Sequence, residues 1–220
     1  MSPIHVDVWS DIACPWCYIG KRKFEAGLAA FEGAEEVTVT YHSFELAPDT
    51  PVDFEGTSAD FLAKHKGMPL EQVEQMHRQV TAIAKDVGLD YDFDSVRQTK
   101  TLLAHQALHF AKEHDKQLEL VERIFRAYFE EGRHVGKIDE LVALGADAGL
   151  DADELRTALE DGRYAKDVDA DLAQARAYGI QGVPFYVIGG KYGVSGAQRP
   201  EVFTQALTQV RQEQTQGASS

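Results

Sequence analysis

The chain has 220 residues, of which 44% are hydrophobic and 26% charged, a balance typical of globular proteins and not of fibrous or disordered chains. Asp and Glu outnumber Lys and Arg by 36 to 22, which gives a formal net charge of −14. Because this charge repels phosphate groups, and because no apolar run approaches the roughly 18 residues that span a bilayer, we expect neither nucleic acid nor membranes as partners.

The first predicted elements are a strand, a helix and a second strand. Polar and apolar residues alternate over 4–9, and apolar residues recur at helical spacing from Cys17 towards Gly33. The β-branched and aromatic residues of 37–44 predict the second strand. No basic segment followed by an apolar stretch precedes the first strand, so we expect a cytoplasmic protein.

The middle of the chain is predicted to be helical. After a proline-containing loop, every segment from Ser58 to about Gly179 has a helical pattern. Strand patterns return at 183–188 and 191–194, and a last helix begins near Pro200. The sequence therefore predicts a helical domain inserted into a small α/β domain. The predicted parts are an N-terminal βαβ part (1–57), the helical insertion (58–165), a C-terminal part of one helix and a ββα unit (166–212), and a polar tail (213–220).

The two cysteines of the chain form a single Cys-Pro-Trp-Cys sequence between the first strand and the helix. At a helix N-terminus the dipole and the free backbone N–H groups favour a thiolate, so we expect Cys14 to be the nucleophile. Cys17 lies one turn further on and is predicted to be the resolving thiol. Pro15 suits the first helical turn because it has no N–H group to leave unpaired.

Two other interpretations of the cysteine pair are a zinc site and inert buried thiols. Zinc usually takes four protein ligands in structural sites, and the chain has no further cysteine and no histidine pair with convincing ligand spacing. We therefore expect no metal, and redox chemistry is the favoured interpretation in a cytosolic protein.

A second motif is the proline at the head of a predicted strand, in the sequence Gly-Val-Pro-Phe. Pro184 cannot donate a hydrogen bond to a sheet, so its position needs an explanation. One explanation is a cis bond between Val183 and Pro184, and the other is a trans proline on an edge strand. The residues alone leave both open.

Taken in order, these motifs resemble the DsbA-like thioredoxin superfamily. Besides the Cys-Pro-Trp-Cys centre, the similarity includes the segments 43–49, 127–132, 182–188 and 194–198, and it runs over nearly the whole chain. Within the superfamily, the chain is most similar to the cytosolic FrnE-type dithiol–disulfide oxidoreductases and isomerases, whose members carry a Cys-Pro-Trp-Cys centre.

The resemblance implies a thioredoxin fold with a large all-helical domain between its βαβ and ββα halves. It implies that Cys14 attacks, that Cys17 resolves, and that Val183 and Pro184 form a cis-proline loop facing them. The implied substrates are proteins or small thiols that contain disulfides or dithiols. Glutathione or another cellular thiol would exchange electrons with the pair, without a bound cofactor. The residues leave open whether the protein is a monomer or a homodimer.

Asp7 and Trp16 are two further candidates for the site. Thioredoxin-like domains often bury an acid six residues before the first cysteine, a position that Val8 holds here, while Asp7 lies one residue further away. The hypothesis is that Asp7 accepts the proton of Cys17. Trp16 stands where periplasmic DsbA proteins have histidine, and its neutral indole is expected to offer substrates an apolar contact.

The remaining polar candidates are given structural roles. His105 and His109 share a helical face with leucines, which predicts core or interface histidines. Glu45 is expected to be solvated or salt-bridged, and the acidic run 167–171 is expected to be a solvated helix face.

Two alternative functions stay open. One is a glutathione-dependent isomerase of small aromatic acids, similar to 2-hydroxychromene-2-carboxylate isomerases, although those typically carry serine at the position of Cys14. The other is a redox-linked chaperone or sensor that holds clients in an apolar cleft.

Overall fold

A computed structural model of the chain describes residues 3–217, in which a four-stranded sheet has the order β2-β1-β3-β4. The strands are β1 (Ile4–Ser10), β2 (Val37–Ser43), β3 (Phe185–Ile188) and β4 (Tyr192–Ser195). β1 is parallel to β2, and β3 is antiparallel to both β1 and β4.

Nine α-helices complete the described part of the chain, and none of them is long and apolar enough to cross a membrane. The helix α1 connects β1 to β2, six helices follow as the insertion, the eighth returns to the sheet, and the last follows β4. This is the arrangement of βαβ and ββα halves around a helical insertion that the family resemblance implied. The helices are α1 (Pro15–Ala29), α2 (Ser58–Lys66), α3 (Leu70–Lys85), α4 (Leu102–Glu113), α5 (Gln117–Phe129), α6 (Ile138–Asp147), α7 (Ala152–Glu160), α8 (Ala165–Ala177) and α9 (Pro200–Gly217).

The two faces of the sheet carry different helices because strand residues point alternately to opposite sides. Val6 and Val8 of β1 belong to the main core with the buried residues of α1 and α9. Trp9 points to the other side, where it packs with Ala175 and its indole N–H donates to the backbone oxygen of Asp171, 3.2 Å away, on α8. The site of the two cysteines is thus at the α1 side of the sheet.

The prediction of helix throughout 58–179 is wrong for the segment between α3 and α4. Gly88 follows α3 with a φ of +79°, and irregular backbone continues to Thr101. In this segment aspartates alternate with Tyr91 and Phe93. A helix cannot bury residues that alternate with a period of two on one of its faces. Tyr91 is buried, so the loop forms part of the core.

Residues 213–217 of the predicted polar tail are part of α9, and 218–220 lie outside the described residues. α9 continues to Gly217 and presents Glu213 to the β3–β4 hairpin. There the Glu213 carboxylate accepts hydrogen bonds from Lys191 at 2.6 Å and from the hydroxyl of Tyr192. These partners are distant in sequence, so a polar composition alone did not reveal them.

A cluster of charges joins α1 to α5. Glu122 of α5 accepts hydrogen bonds from Tyr18 Oη at 2.7 Å, Lys21 Nζ at 2.6 Å and the guanidinium of Arg22. The side chain of Lys21 is only 7% exposed. Burial opposes ionisation of Glu122, but the hydrogen bonds from Arg22 and Lys21 prevail and lower its pKa to about 2.

Replacement of Glu122 with glutamine is expected to lower the free energy of unfolding by about 2 kcal/mol, because Lys21 would keep a buried charge with a weaker set of partners. Urea denaturation at neutral pH measures the change. The control is Glu119→Gln, which removes an exposed pair with Lys116 and should change stability by less than about 0.5 kcal/mol. Equal effects of the two substitutions would contradict the assigned role of the cluster.

Candidate active site

The structure places the two cysteines at the N-terminus of α1. Cys14 is the residue before the first helical turn, with φ −90° and ψ 110°, and Pro15 begins the helix. The backbone N–H of Cys14 donates to the oxygen of Asp11 at 3.1 Å, and that of Cys17 donates to the oxygen of Cys14 at 3.0 Å. Both thiols are free, and the residues are 4% and 2% exposed, respectively. The N-terminal helix position thus belongs to Cys14, and Cys17 lies one turn deeper.

The environment of Cys17 favours its protonated form. Burial, together with the neighbouring thiol of Cys14, raises the pKa of Cys17 well above its ordinary value. The side chain of Ser10 and the backbone of Asp11 act in the opposite direction without cancelling the effect of burial. The thiol of Cys17 therefore stays protonated until a base removes its proton.

The loop before β3 faces the cysteines. The peptide bond between Val183 and Pro184 is cis, and the Cys14 thiol donates to the carbonyl oxygen of Val183 at 3.5 Å. The loop packs directly on α1 at Gly20, where an added Cβ would lie 2.9 Å from Cγ of Pro184 and 2.7 Å from Oη of Tyr186. Glycine at position 20 permits this approach, a requirement that the sequence analysis did not identify.

A cavity of about 240 Å³ opens beside Cys14. Cys14, Pro15 and Trp16 line one side of it, whereas Cys17 does not reach it. The opposite side comes from α2, α3 and the loop after β2. A molecule that enters the cavity therefore contacts Cys14 and Trp16.

The structure does not bring Asp7 to Cys17. Asp7 shares the α8 face of β1 with Trp9, and its carboxylate lies 2.9 Å from Nε2 of His42. Ser10 points to the opposite face, towards Cys17, as the alternation of strand side chains requires. The hypothesis that Asp7 accepts the proton of Cys17 is therefore wrong, and the β1 side chain on the Cys17 side of the sheet is that of Ser10.

Asp11 is the buried acid that the sequence analysis missed. Its carboxylate accepts hydrogen bonds from Thr101 Oγ1 and the backbone N–H of Leu46, both at 2.8 Å, and lies 3.3 Å from Nε2 of His105. These contacts fix the turn that precedes Cys14. His105 is fully buried, which confirms the prediction of a core histidine. The sequence feature that could have identified this buried acid is its position, three residues before the first cysteine.

The expectation that 167–171 form a solvated helix face is wrong for Asp171. This side chain is buried, and its oxygens lie 2.7 Å from Nδ1 of His42 and 3.0 Å from Nε2 of His109, while the N–H of Ser43 donates to it at 2.7 Å. Burial opposes ionisation, but the hydrogen bonds from His109 and His42 lower the pKa of Asp171. His109 is thus a core histidine, as predicted. Only one face of α8 packs on the sheet, and Asp171 lies on it.

Glu45 differs from the expectation of a solvated or salt-bridged side chain. It is half-buried, and within residues 3–217 it makes no ion pair, while Oε1 has no hydrogen-bond partner there. Burial raises the pKa of Glu45. The same described residues contain no group of three or more His, Cys, Asp or Glu placed to hold a metal ion.

The stability of the protein is expected to fall as the pH rises above neutrality. Burial opposes protonation of His42, but the carboxylates of Asp171 and Asp7 on its two ring nitrogens prevail and raise its pKa. The imidazolium thus stabilises the fold below the ordinary histidine pKa of about 6.5, and this contribution is lost as the pH rises through the raised value.

Urea denaturation between pH 6 and pH 9 measures this effect. His42→Gln should flatten the profile in that range, whereas His65→Gln, which alters an exposed histidine of α2, should keep the wild-type profile. A wild-type slope retained in His42→Gln would assign the effect to other groups.

Comparison with known proteins agrees with this geometry. A family model for the DSBA-like thioredoxin domain matches residues 5–208. A probable DsbA oxidoreductase from Streptomyces coelicolor is similar, with 42% identity, a TM-score of 0.90, and coverage of 96% of this chain and 91% of that chain. The protein YwbO of Bacillus subtilis is 31% identical over 212 residues, which are 93% of this chain and 96% of YwbO.

More distant structures share the fold alone. A 2-hydroxychromene-2-carboxylate isomerase has 16% identity and a TM-score of 0.71, with coverage of 98% of this chain and 99% of that chain. The cytosolic disulfide reductase DsbM of Pseudomonas aeruginosa has 18% identity and a TM-score of 0.61, with coverage of 98% and 100%. On the family match over nearly its whole length, this chain belongs to the DsbA-like thioredoxin-domain proteins.

Proposed function

We propose that the protein is a thiol–disulfide oxidoreductase of the FrnE type, which exchanges disulfides with protein or small-thiol substrates. The observation that carries the proposal is the asymmetry of the pair. Cys14 lies at the N-terminus of a helix and lines an open cavity, while Cys17 is buried one turn behind it. This is the arrangement that a nucleophilic and a resolving thiol need.

The reaction proceeds in two exchanges. The thiolate of Cys14 attacks a substrate disulfide, forms a mixed disulfide with one sulfur and expels the other as a thiolate. Cys17 then loses its proton, attacks the sulfur of Cys14 and releases the second substrate thiol. Two electrons pass from the pair to the substrate, the protons of the two cysteines end on the substrate thiols, and Cys14 is left bonded to Cys17. The reverse sequence oxidises a dithiol substrate.

Glutathione or another cellular thiol returns the pair to its starting state, and the cycle needs no bound cofactor or metal. We place the reaction in the cytoplasm. One protein that shares the fold, DsbM of Pseudomonas aeruginosa, is a cytosolic disulfide reductase.

The test is the equilibrium reduction potential of the pair in glutathione buffers, measured by titration of free thiols. A value near −120 to −180 mV, about that of DsbA or protein disulfide isomerase, would assign an oxidant or shuffling catalyst, and about −270 mV would assign a reductase. A pair that does not cycle would overturn the proposal.

The isomerase alternative is supported by the shared fold, but the presence of both thiols favours exchange. Glutathione-dependent isomerisation of a hydroxychromene carboxylate by the Cys14→Ser variant would favour it instead. Suppression of aggregation that survives replacement of both cysteines with serine would favour the chaperone alternative.

A further inference from the structure

The cavity beside Cys14 has an apolar interior and an apolar rim. Phe61 of α2, Val80 of α3 and Phe93 contribute to the interior. Leu46, Trp16 and Met76 also line the cavity, and these side chains are 43%, 38% and 38% exposed, respectively. They are three of the seven large apolar side chains exposed in residues 3–217. Such clustering around one opening marks a binding surface.

Several polar groups of the cavity wall are engaged in hydrogen bonds within the protein. Asp11 accepts from Thr101 and Leu46, the hydroxyl of Thr99 donates to the oxygen of Val52, and Gln98 accepts from Tyr128. An occupant rich in polar groups would therefore find few partners here. A cavity of about 150 Å³ is large enough to hold benzene, so about 240 Å³ holds one substituted aromatic ring.

The charge at the opening is opposite to that of the whole molecule. The chain has a net charge of −14, yet the one carboxylate that lines the cavity, Asp11, is buried and hydrogen-bonded. Lys66 also lines the cavity, is exposed and makes no ion pair in the described part of the chain. An anionic group at the opening would be attracted to it.

Resting on the oxidoreductase function proposed above, we infer that the cavity selects polypeptide disulfides in which the reacting cysteine is next to an aromatic residue followed by an acidic one. The aromatic side chain fills the cavity while the substrate sulfur reaches Cys14, and the carboxylate lies near Lys66. The occupant is a polypeptide because Trp16, Leu46 and Met76 form apolar surface outside the cavity. A single aromatic ring inside the cavity would leave that surface exposed to water.

The test uses symmetrical disulfides of three pentapeptides, Gly-Cys-Phe-Glu-Gly, Gly-Cys-Gly-Glu-Gly and Gly-Cys-Phe-Lys-Gly, with the reduced full-length protein. Release of peptide thiol is followed by chromatography after acid quenching, and each rate is divided by the rate of the same peptide with dithiothreitol. Burial of the phenyl group should make the first peptide about tenfold faster than the second. The exposed charge contact should make it about threefold faster than the third.

Matched variants test which side chains of the cavity cause the rate differences between the peptides. Met76→Glu should reduce the advantage of the phenylalanine peptide, whereas Leu70→Glu, an exposed leucine on the same helix that does not line the cavity, should keep it. Lys66→Glu should reverse the preference between the acidic and the basic peptide, whereas Lys64→Glu on the same helix should not. Melting curves verify that each variant folds.

Equal normalised rates for all three peptides, with normal cycling, would overturn the inference and leave the oxidoreductase function intact. No reaction with any disulfide would instead overturn that function. If Met76→Glu slows exchange with a small aromatic disulfide but with none of the peptides, the occupant of the cavity would be a small molecule and not a polypeptide.

Discussion

Replacement of Cys14 by serine is expected to abolish disulfide exchange, with a loss of rate on the order of a thousandfold or more, because a hydroxyl does not replace a thiolate as the attacking group. The proposed mechanism gives this attack to Cys14 because that residue, and not Cys17, lines the cavity. Stopped-flow measurement of the reaction with a peptide disulfide gives the rate. Near-normal turnover in Cys14→Ser would overturn the assignment.

The partner variant, Cys17→Ser, is the matched control. It should retain the first attack but stop at the mixed disulfide, so that mass spectrometry detects protein bonded to one peptide through Cys14. In the wild-type protein, release from the mixed disulfide requires the thiolate of Cys17, whose pKa is raised by burial. The release rate should therefore continue to increase with pH beyond the range in which an ordinary thiol ionises.

Replacement of Asp171 by asparagine is expected to lower the free energy of unfolding by about 3 kcal/mol. This carboxylate lies between two imidazoles and a backbone N–H, and removal of the charge leaves donors of His42, His109 and Ser43 in a buried position without an equivalent acceptor. Chemical denaturation at neutral pH measures the loss.

Asp169→Asn is the control on the same helix, because Asp169 is exposed and makes no ion pair in the part of the chain that the structure describes. Its effect should be within about 0.5 kcal/mol of zero. Since the pKa of Asp171 is lowered by its partners, its contribution is present above the ordinary aspartate range and is lost as the pH falls through the lowered value. A loss of stability equal to that of Asp169→Asn would show that Asp171 is not a buried anchor.

Local pattern was sufficient to predict the elements that carry the reaction. The period of two over 4–9, the Cys-Pro-Trp-Cys sequence and the helical spacing after it are features of neighbouring residues. The structure has β1 and α1 at those positions. The family resemblance then supplied the order of the two halves around the insertion, which no local pattern contains.

The missed residues depend on partners far away in the sequence. Asp11 contacts Thr101, which is 90 residues away, and Asp171 binds Ser43, which is 128 residues away. A single sequence shows the acidic residues but not the donors that surround them. For Asp7 the error was one of register, because a shift of one residue along a strand moves a side chain to the other face of the sheet.

The contacts of Asp11 make the active-site turn and the insertion parts of one cooperative unit. One carboxyl group holds the turn before Cys14, the loop after β2 and the start of α4, so none of these can unfold without breaking hydrogen bonds to the buried side chain of Asp11. The thioredoxin half of the chain is therefore not expected to persist as an autonomous domain when the inserted helices are deleted. In folding, the thiol pair and the far wall of its cavity should form in the same transition, and melting should show a single step.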